Sequence, residues 1–330
     1  MQRNHGVSLT THKHIFGPVL SRRLGLSLGI DLIPFKTCSY NCVYCECGSS
    51  PDLTIIRQEF FPVEQVISEV RDVLASRPHL DSITFAGSGE PTLSRSLGQV
   101  ITFIKREYPE YTLSVLTNGS LMTDQGVRDE LTPADRVIPT LTTASQETFE
   151  RIHHPHSSLS IEAIITGMVQ FRKMYAGALW LEVFVIPGLN TSAAELAGLK
   201  WAIERIDPDR VQLNTLDRPP AEDWVQAASD AELERVSAVL GRSGVEIVGR
   251  DHPGCRAEKT KTNVSDLIQA TLYRRPSTLE DLVRTTSLST GELADILGVL
   301  EEKGTITSQK GTRGIFYSIC QKNSINGIPE

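Results

Sequence analysis

Six apolar, strand-prone runs alternate with amphipathic helical patterns between residues 26 and 216, and nothing else in the 330-residue chain restricts its fold so strongly. The runs are LSLGIDLIP (26–34), SITFAG (82–87), TLSVLTN (112–118), RVIPTLT (136–142), LWLEVFVIP (179–187) and RVQLNTL (210–216). After the first run, VEQVISEVRDVL sets Val63, Val66, Ile67, Val70, Val73 and Leu74 on one helical face. Further helical patterns fall near residues 95–107, 123–131, 145–152, 160–175 and 192–206. Strands separated by helices must run parallel, with the helices packed outside the sheet. The expected class is therefore α/β, and the loops after the strands should form the active face.

The stretch KTCSYNCVYCECG, Lys36 to Gly48, follows the first run, which Pro34 ends, and holds four of the chain's six cysteines within ten residues. Composition decides how those thiols are read. The apolar and charged fractions, 40% and 22%, are those of a soluble protein, and no apolar run approaches a membrane span. The opening MQRNHGVSLTTHKH has no apolar core of the signal-peptide kind. A cytoplasmic location is expected, where thiols stay reduced, so metal ligation outranks a disulfide framework. The net charge of −7 argues against a general binder of nucleic acid or anionic membranes.

Zinc usually takes four ligands from two pairs. A second pair is missing, because Cys255 and Cys320 stand alone. His153, His154 and His156 do not form an H-x3-5-H pair and read as a solvated loop. Cys47 could complete a local four-cysteine zinc site, but C-x-C joined to C-x2-C makes a cramped tetrahedron. A cluster is looser, since each cysteine binds a different iron. Cys38, Cys42 and Cys45 would leave one iron of a 4Fe–4S cube open to a substrate or cofactor.

The C-x3-C-x2-C spacing, with Tyr44 before the last cysteine, resembles the cluster motif of the radical S-adenosylmethionine (radical SAM) superfamily. The surrounding FGPVLSRRLGLSLGIDLIPFKTCSYNCVYC is similar to an iron–sulfur oxidoreductase group distantly related to the wyosine-base tRNA synthetases. It departs from that group at Leu20, where proline is expected, and at Leu26, where a basic residue is common. The resemblance implies a partial (β/α)6 TIM-like barrel and a 4Fe–4S cluster on Cys38, Cys42 and Cys45. It implies S-adenosylmethionine chelated at the open iron and cleaved reductively to methionine and a 5′-deoxyadenosyl radical. That radical would take hydrogen from a substrate which no motif identifies. A reduced flavodoxin- or ferredoxin-type protein is the implied electron donor.

A second motif, Gly87-Ser88-Gly89-Glu90-Pro91, ends the second run. Alone it reads as an ordinary βα turn with a solvated glutamate. One βα unit after the cysteines, it resembles the superfamily's Gly-Gly-Glu element, which implies that Glu90 holds the methionine ammonium. Asn118 after the third run could bond a ribose or cap a turn. Thr140 and Thr142 close the fourth run, where ribose or carboxylate contacts are implied, and Ile186 closes the fifth, where the adenine would lie. Arg22 and Arg23 precede the first run, as fork donors for a carboxylate or phosphate or as surface residues.

The βα rhythm stops before residue 262, giving an expected barrel domain (1–261) and a small second domain (262–330). Thr278-Leu-Glu-Asp281 and Ser289-Thr-Gly-Glu292 match the capping-box pattern, and TITSQ and GIFYSI flank a turn. Three helices and a hairpin resemble a winged helix-turn-helix. Specific DNA binding is not expected, because the segment 289–303 carries Glu292, Asp295, Glu301 and Glu302 against Lys303 alone. Residues 262–330 total seven basic against eight acidic side chains, which favours protein docking, dimerisation or substrate presentation. The rival functions are a cluster-sensing regulator with the small domain as output, a tRNA-base modifying enzyme, and a zinc-binding structural protein.

Overall fold

The computed structural model describes residues 12–50, 52–241, 244–249, 264–286, 288–311 and 313–320. Cys255 and the expected boundary at 261/262 lie outside the described residues, as does most of the opening segment. One eight-stranded sheet dominates. Its strands are β1 (Ile15–Ser21), β2 (Gly25–Ile30), β5 (Ser82–Phe85), β6 (Leu113–Thr117), β7 (Arg136–Pro139), β8 (Ala178–Phe184), β9 (Arg210–Asn214) and β10 (Val245–Ile247), in that spatial order. Two short strands, β3 (Thr37–Cys38) and β4 (Asp52–Leu53), pair across the cysteine loop. From β2 to β10 every pairing in the large sheet is parallel, and β1 alone runs antiparallel on the edge.

The helices between strands are α1 (Val63–Leu74), α2 (Leu97–Glu107), α3 (Gln125–Leu131), α4 (Gln146–His153), α5 (Ile161–Met174), α6 (Ala193–Ile206) and α7 (Asp230–Leu240). Ser145, Ser192 and Ser229 cap α4, α6 and α7 by accepting from the third backbone N–H.

Alternation along the strands separates two environments. Leu28, Ile30, Ile83, Phe85, Leu113, Val115, Leu179, Leu181, Val183, Val211 and Leu213 join the apolar core shared with the helices. Their neighbours Ser27, Thr84, Glu182 and Asn214 line a cavity on the other face, with Gly29, Leu116 and Phe184. A period of two thus gives the sheet one oily face and one polar, concave face. Six strands were expected and eight are present. The edge strand β1 was missed because Gly17 and Pro18 break its pattern; proline is tolerated at an edge, and the β1–β2 register shifts between Phe16 and Val19.

The last described segment forms α8 (Val264–Arg274), β11 (Ser277–Thr278), α9 (Leu279–Thr286), α10 (Thr290–Glu302), β12 (Ile306–Gly311) and β13 (Gly314–Ile319), its strands ordered β11-β13-β12. Ile268, Leu272, Leu282, Leu293, Leu297, Leu300 and Ile306 make its own core. Both expected capping boxes are formed, at Thr278/Asp281 and Ser289/Glu292. This unit rests on β1 through α8 and α9. Arg274 Nε lies 3.1 Å from Asp31, Arg313 Nε lies 3.0 Å from Asp217, and the Phe35 and Tyr273 rings are 4.9 Å apart. Among the described residues no helix is long and apolar enough to cross a membrane.

Candidate metal and cofactor site

The cysteine loop leaves β2 at its carboxyl end and is tied down at both sides. Lys36 takes a left-handed φ of 65° and donates its N–H to Ser88 O at 2.9 Å. Its side chain is buried, with Nζ bonded to Gly48 O and 3.2 Å from Cys45 Sγ. A lysine buried in a strained backbone state persists only where the surroundings fix it. Gly87 and Gly89 allow the second loop to close against the first, since a Cβ at Gly87 would strike the Asp31 carboxylate and one at Gly89 would strike Thr37 O.

Each of three thiols has a side-chain nitrogen beside it, with the Tyr40 backbone also bonded to Cys38 and the Tyr44 side chain to Cys42. Asn118 Nδ2 stands 3.6 Å from Cys38 Sγ, His153 Nδ1 stands 3.1 Å from Cys42 Sγ, and Lys36 Nζ serves Cys45. Cys47 is different: its Sγ donates to Arg274 O at 3.0 Å, across to the C-terminal unit. Burial pushes the Cys38 thiol up to about 12, aided by the Glu90 charge. Burial also pushes Cys42 well up. Cys45 falls to about 6, chiefly through a hydrogen bond from Cys47 and against burial, with Lys36 helping. Among the described residues no three His, Cys, Asp or Glu side chains converge closely enough to hold a single metal ion.

His153 corrects the sequence reading. It is 3% exposed at the end of α4, not part of a solvated loop, and burial lowers its pKa to about 3. Its Nε2 is bonded to Thr142 Oγ1, and its ring lies 4.8 Å from that of Tyr40. The histidine carries one polar side and one apolar side, and the helix-end position gave no periodic signal of either.

A cavity of about 360 Å³ opens beside the loop. Tyr44, Cys45, Glu46, Cys47, Ala86 and Gly87 contribute to its wall. Tyr44 stacks on Phe184 with ring centroids 4.1 Å apart. Other expected cofactor contacts stand behind this wall. Ser88 donates its hydroxyl to Asp31 Oδ2 at 2.7 Å, and Ile186 is buried with Val43, Ile152 and Leu216. Glu90 is 2% exposed. Its Oε1 accepts from Thr92 N (3.0 Å), Thr92 Oγ1 (2.6 Å) and Thr117 Oγ1 (2.6 Å), while Oε2 accepts only from Asn118 N (2.7 Å). Burial raises its pKa and those hydrogen bonds oppose the rise. The glutamate thus joins the second and third strand ends, and one oxygen keeps acceptor capacity.

Sequence reasoning missed Asp31 and Glu182. Asp31 accepts from Ser88 and Arg274, and so joins β2, the second loop and α8. Glu182 accepts from Arg23 (2.7 Å), Thr140 (2.7 Å) and Asn214 (3.0 Å) within the concave face. A signal existed for the latter, because an acid inside the apolar run LWLEVFVIP must find partners.

A family model described as the radical SAM superfamily matches residues 32–199, which hold the cysteine loop and the second motif. The chain belongs to the radical SAM superfamily. Membership implies cleavage of S-adenosylmethionine at an iron–sulfur cluster. The chain is 34% identical over 324 residues to the protein named GTPase Obg of Brachyspira hyodysenteriae, covering 97% of itself but only 47% of that relative. It is 34% identical over 269 residues to a UPF0026 protein of Helicobacter pylori strain J99 (81% and 86% covered). A UPF0026 protein of Methanocaldococcus jannaschii is 27% identical over 310 residues (92% and 94% covered). Among solved structures, a radical SAM methyltransferase from Sphaerobacter thermophilus aligns with a TM-score of 0.51 at 17% identity, over 67% of this chain and 65% of that one. Streptococcus suis SuiB bound to its precursor peptide SuiA aligns with 0.52 at 13% identity, over 69% and 49%. These two likenesses concern the fold alone.

Proposed function

We propose that this radical SAM protein is an enzyme holding a 4Fe–4S cluster on Cys38, Cys42 and Cys45, with S-adenosylmethionine at the fourth iron. The pairing of each of these three sulfurs with its own nitrogen donor carries the reading. Donors beside sulfur favour the thiolate form that iron requires, and at Cys38 and Cys42 they act against burial, which pushes both thiols up. Cys47, whose Sγ lies beside Cys45 and 3.0 Å from Arg274 O, falls outside the three-cysteine spacing and is left out of the ligand set. When bound, cluster and cofactor supply one-electron cleavage to a 5′-deoxyadenosyl radical that takes hydrogen from a substrate. The chain's own part is orientation and exclusion of water. Tyr44 and Gly87 offer cavity wall to the cofactor, Asn118 braces Cys38, and Thr142 holds His153 against Cys42. Glu90 joins the loops through Oε1 and offers Oε2 to the methionine ammonium. Gly89 and Ser88 set its backbone, and Ile186 backs the floor. Electrons would come from a reduced flavodoxin- or ferredoxin-type protein in the cytoplasm. Residues 262–330 would form a winged helix on a barrel of residues 1–261.

Anaerobic iron–sulfide reconstitution tests this. Cys42→Ala should lose the cluster's visible absorbance and Cys47→Ala should keep it, with S-adenosylmethionine cleaved under dithionite. Zinc bound in place of iron after anaerobic work would overturn the proposal.

A further inference from the structure

Where the C-terminal unit meets the cavity mouth, the charges do not balance. Four guanidinia, Arg22, Arg218, Arg275 and Arg313, gather around three carboxylates, Glu46, Asp217 and Asp281. Arg313 takes Asp281 with two bonds (3.0 and 2.9 Å) and lies 3.0 Å from Asp217. Arg218 takes Glu46 at 2.9 Å and lies 3.8 Å from Asp217. One positive charge is in excess, and two of the four guanidinia are loosely held. Arg22 lies 3.8 Å from Asp217 with Glu46 also near, and Arg275 has Asp281 and Glu46 in its surroundings but no ion pair within 4 Å among the described residues. The other arginines of the cavity are matched, Arg23 by Glu182 and Arg274 by Asp31.

Both guanidinia are partly exposed to the cavity, so the excess positive charge faces the space that a ligand would fill. Burial lowers the pKa of both: Arg275 falls to about 10, with Arg218 repelling it, and Arg22 is lowered despite Asp217. Arg22 comes from the β1–β2 turn and Arg275 follows α8, yet both line the same cavity as Cys45 and Cys47. Two forks from separate elements suit a tetrahedral oxyanion, which accepts pairs of N–H bonds from two directions. A carboxylate has two oxygens to share between such forks, whereas a phosphoryl group has three.

We propose that Arg22 and Arg275 form a phosphate-binding subsite, and that the substrate is a small phosphorylated molecule whose phosphoryl group anchors there beside the cysteine loop. This rests on the radical SAM reading for its role in catalysis but not for the binding itself. The cavity of about 360 Å³ is the one offered above to the cofactor, so a substrate that shares it must be small. Arg275 lies on the C-terminal unit, so that unit completes the substrate site.

Calorimetric titration of the full chain with inorganic phosphate, with and without the reconstituted cluster, tests the subsite. Phosphate should bind saturably, and Arg22→Gln or Arg275→Gln should each weaken it by about tenfold or more. Arg22→Lys and Arg275→Lys, which keep the charge and lose the fork, should fall between. Acetate binding as tightly as phosphate would overturn the assignment, as would unchanged phosphate affinity in the double Gln variant. The titration needs no cluster, so a failed reconstitution would sink the redox reading and leave this result standing. Absent phosphate binding in a cluster-loaded, S-adenosylmethionine-cleaving protein would do the reverse.

Discussion

A hydrogen bond from nitrogen to a cluster sulfur favours the reduced, more negative state of the centre. His153, 3.1 Å from Cys42 Sγ, is placed to supply one, and the Thr142 hydroxyl on its other nitrogen fixes which ring nitrogen faces the sulfur. His153→Phe should keep the aromatic packing against Tyr40 and Phe149 while removing that donor. The expected result is a loaded cluster with a more negative reduction potential, read by anaerobic electrochemical titration. Asn118→Ala should act in the same direction and less strongly, because its 3.6 Å contact is longer. An unchanged potential in both variants would remove these residues from the electronic surroundings of the cluster. Glu90 calls for a different comparison. Glu90→Gln keeps an acceptor at Oε1 and removes the charge, so it should fold normally and bind S-adenosylmethionine more weakly by calorimetry. Loss of folding together with binding would assign the carboxylate to bracing the strand ends alone.

At the scale of elements, the parallel core and six of its helices, α1 to α6, were legible because burial on one side writes a strong period into the chain. Val66, Val70, Val73 and Leu74 are all buried where the α1 pattern placed them. Legibility failed where tertiary contact overrode local pattern. Strand β1 holds Gly17 and Pro18 and is recognisable only by its pairing with β2. The burial of His153 depends on the cysteine loop arriving from residues far away in sequence. The cysteine loop itself stood out because four thiols have no other use in so short a span. Glu90 was found by spacing, but its four hydrogen bonds come from two strand ends, through Thr92 and through Thr117 and Asn118, and leave no trace in the sequence. The C-terminal helices bring their own test. Ser289 and Glu292 cap α10 reciprocally, so Ser289→Ala should cost about 1 kcal/mol in urea unfolding of that unit. The carboxyl of Asp281 is held at about 2: burial would raise it, but Arg313 and Arg218 outweigh that. A depressed carboxyl stabilises the fold above its unfolded pKa near 3.8 and loses that contribution as pH falls toward 2. Asp281→Asn should therefore cost on the order of 2 kcal/mol at neutral pH and flatten the acid dependence between pH 4 and 2.

For the molecule as a whole, what the C-terminal unit does turns on where its basic side chains point. Arg274 is spent on Asp31, Arg313 on Asp281 and Asp217, and Arg284 on Glu280, while Arg275 faces the cavity. A DNA-binding surface needs several exposed cations free to neutralise phosphates, and its affinity then falls steeply with salt. The solvent side of α10 presents Glu292, Asp295, Glu301 and Glu302 instead, with Lys303 at its end and Lys310 on β12. The apolar face of α10 is occupied by Leu293, Leu297 and Leu300 in the unit's own core. Its arginines are therefore held by Asp31 and Asp217 across the contact, or by Glu280 and Asp281 within the unit, or face the cavity, and the full chain should give no sequence-selective, salt-sensitive shift of duplex DNA in a gel. If docking is what those arginines do, Asp31→Asn combined with Arg313→Ala should free the unit from the mouth. Cys47, whose thiol bonds to Arg274 O in the docked state, would then react faster with a maleimide than in the unaltered chain. An unaltered Cys47 rate in the double variant, or a specific DNA shift by the unaltered chain, would count against a cover for the site and in favour of a separate regulatory output.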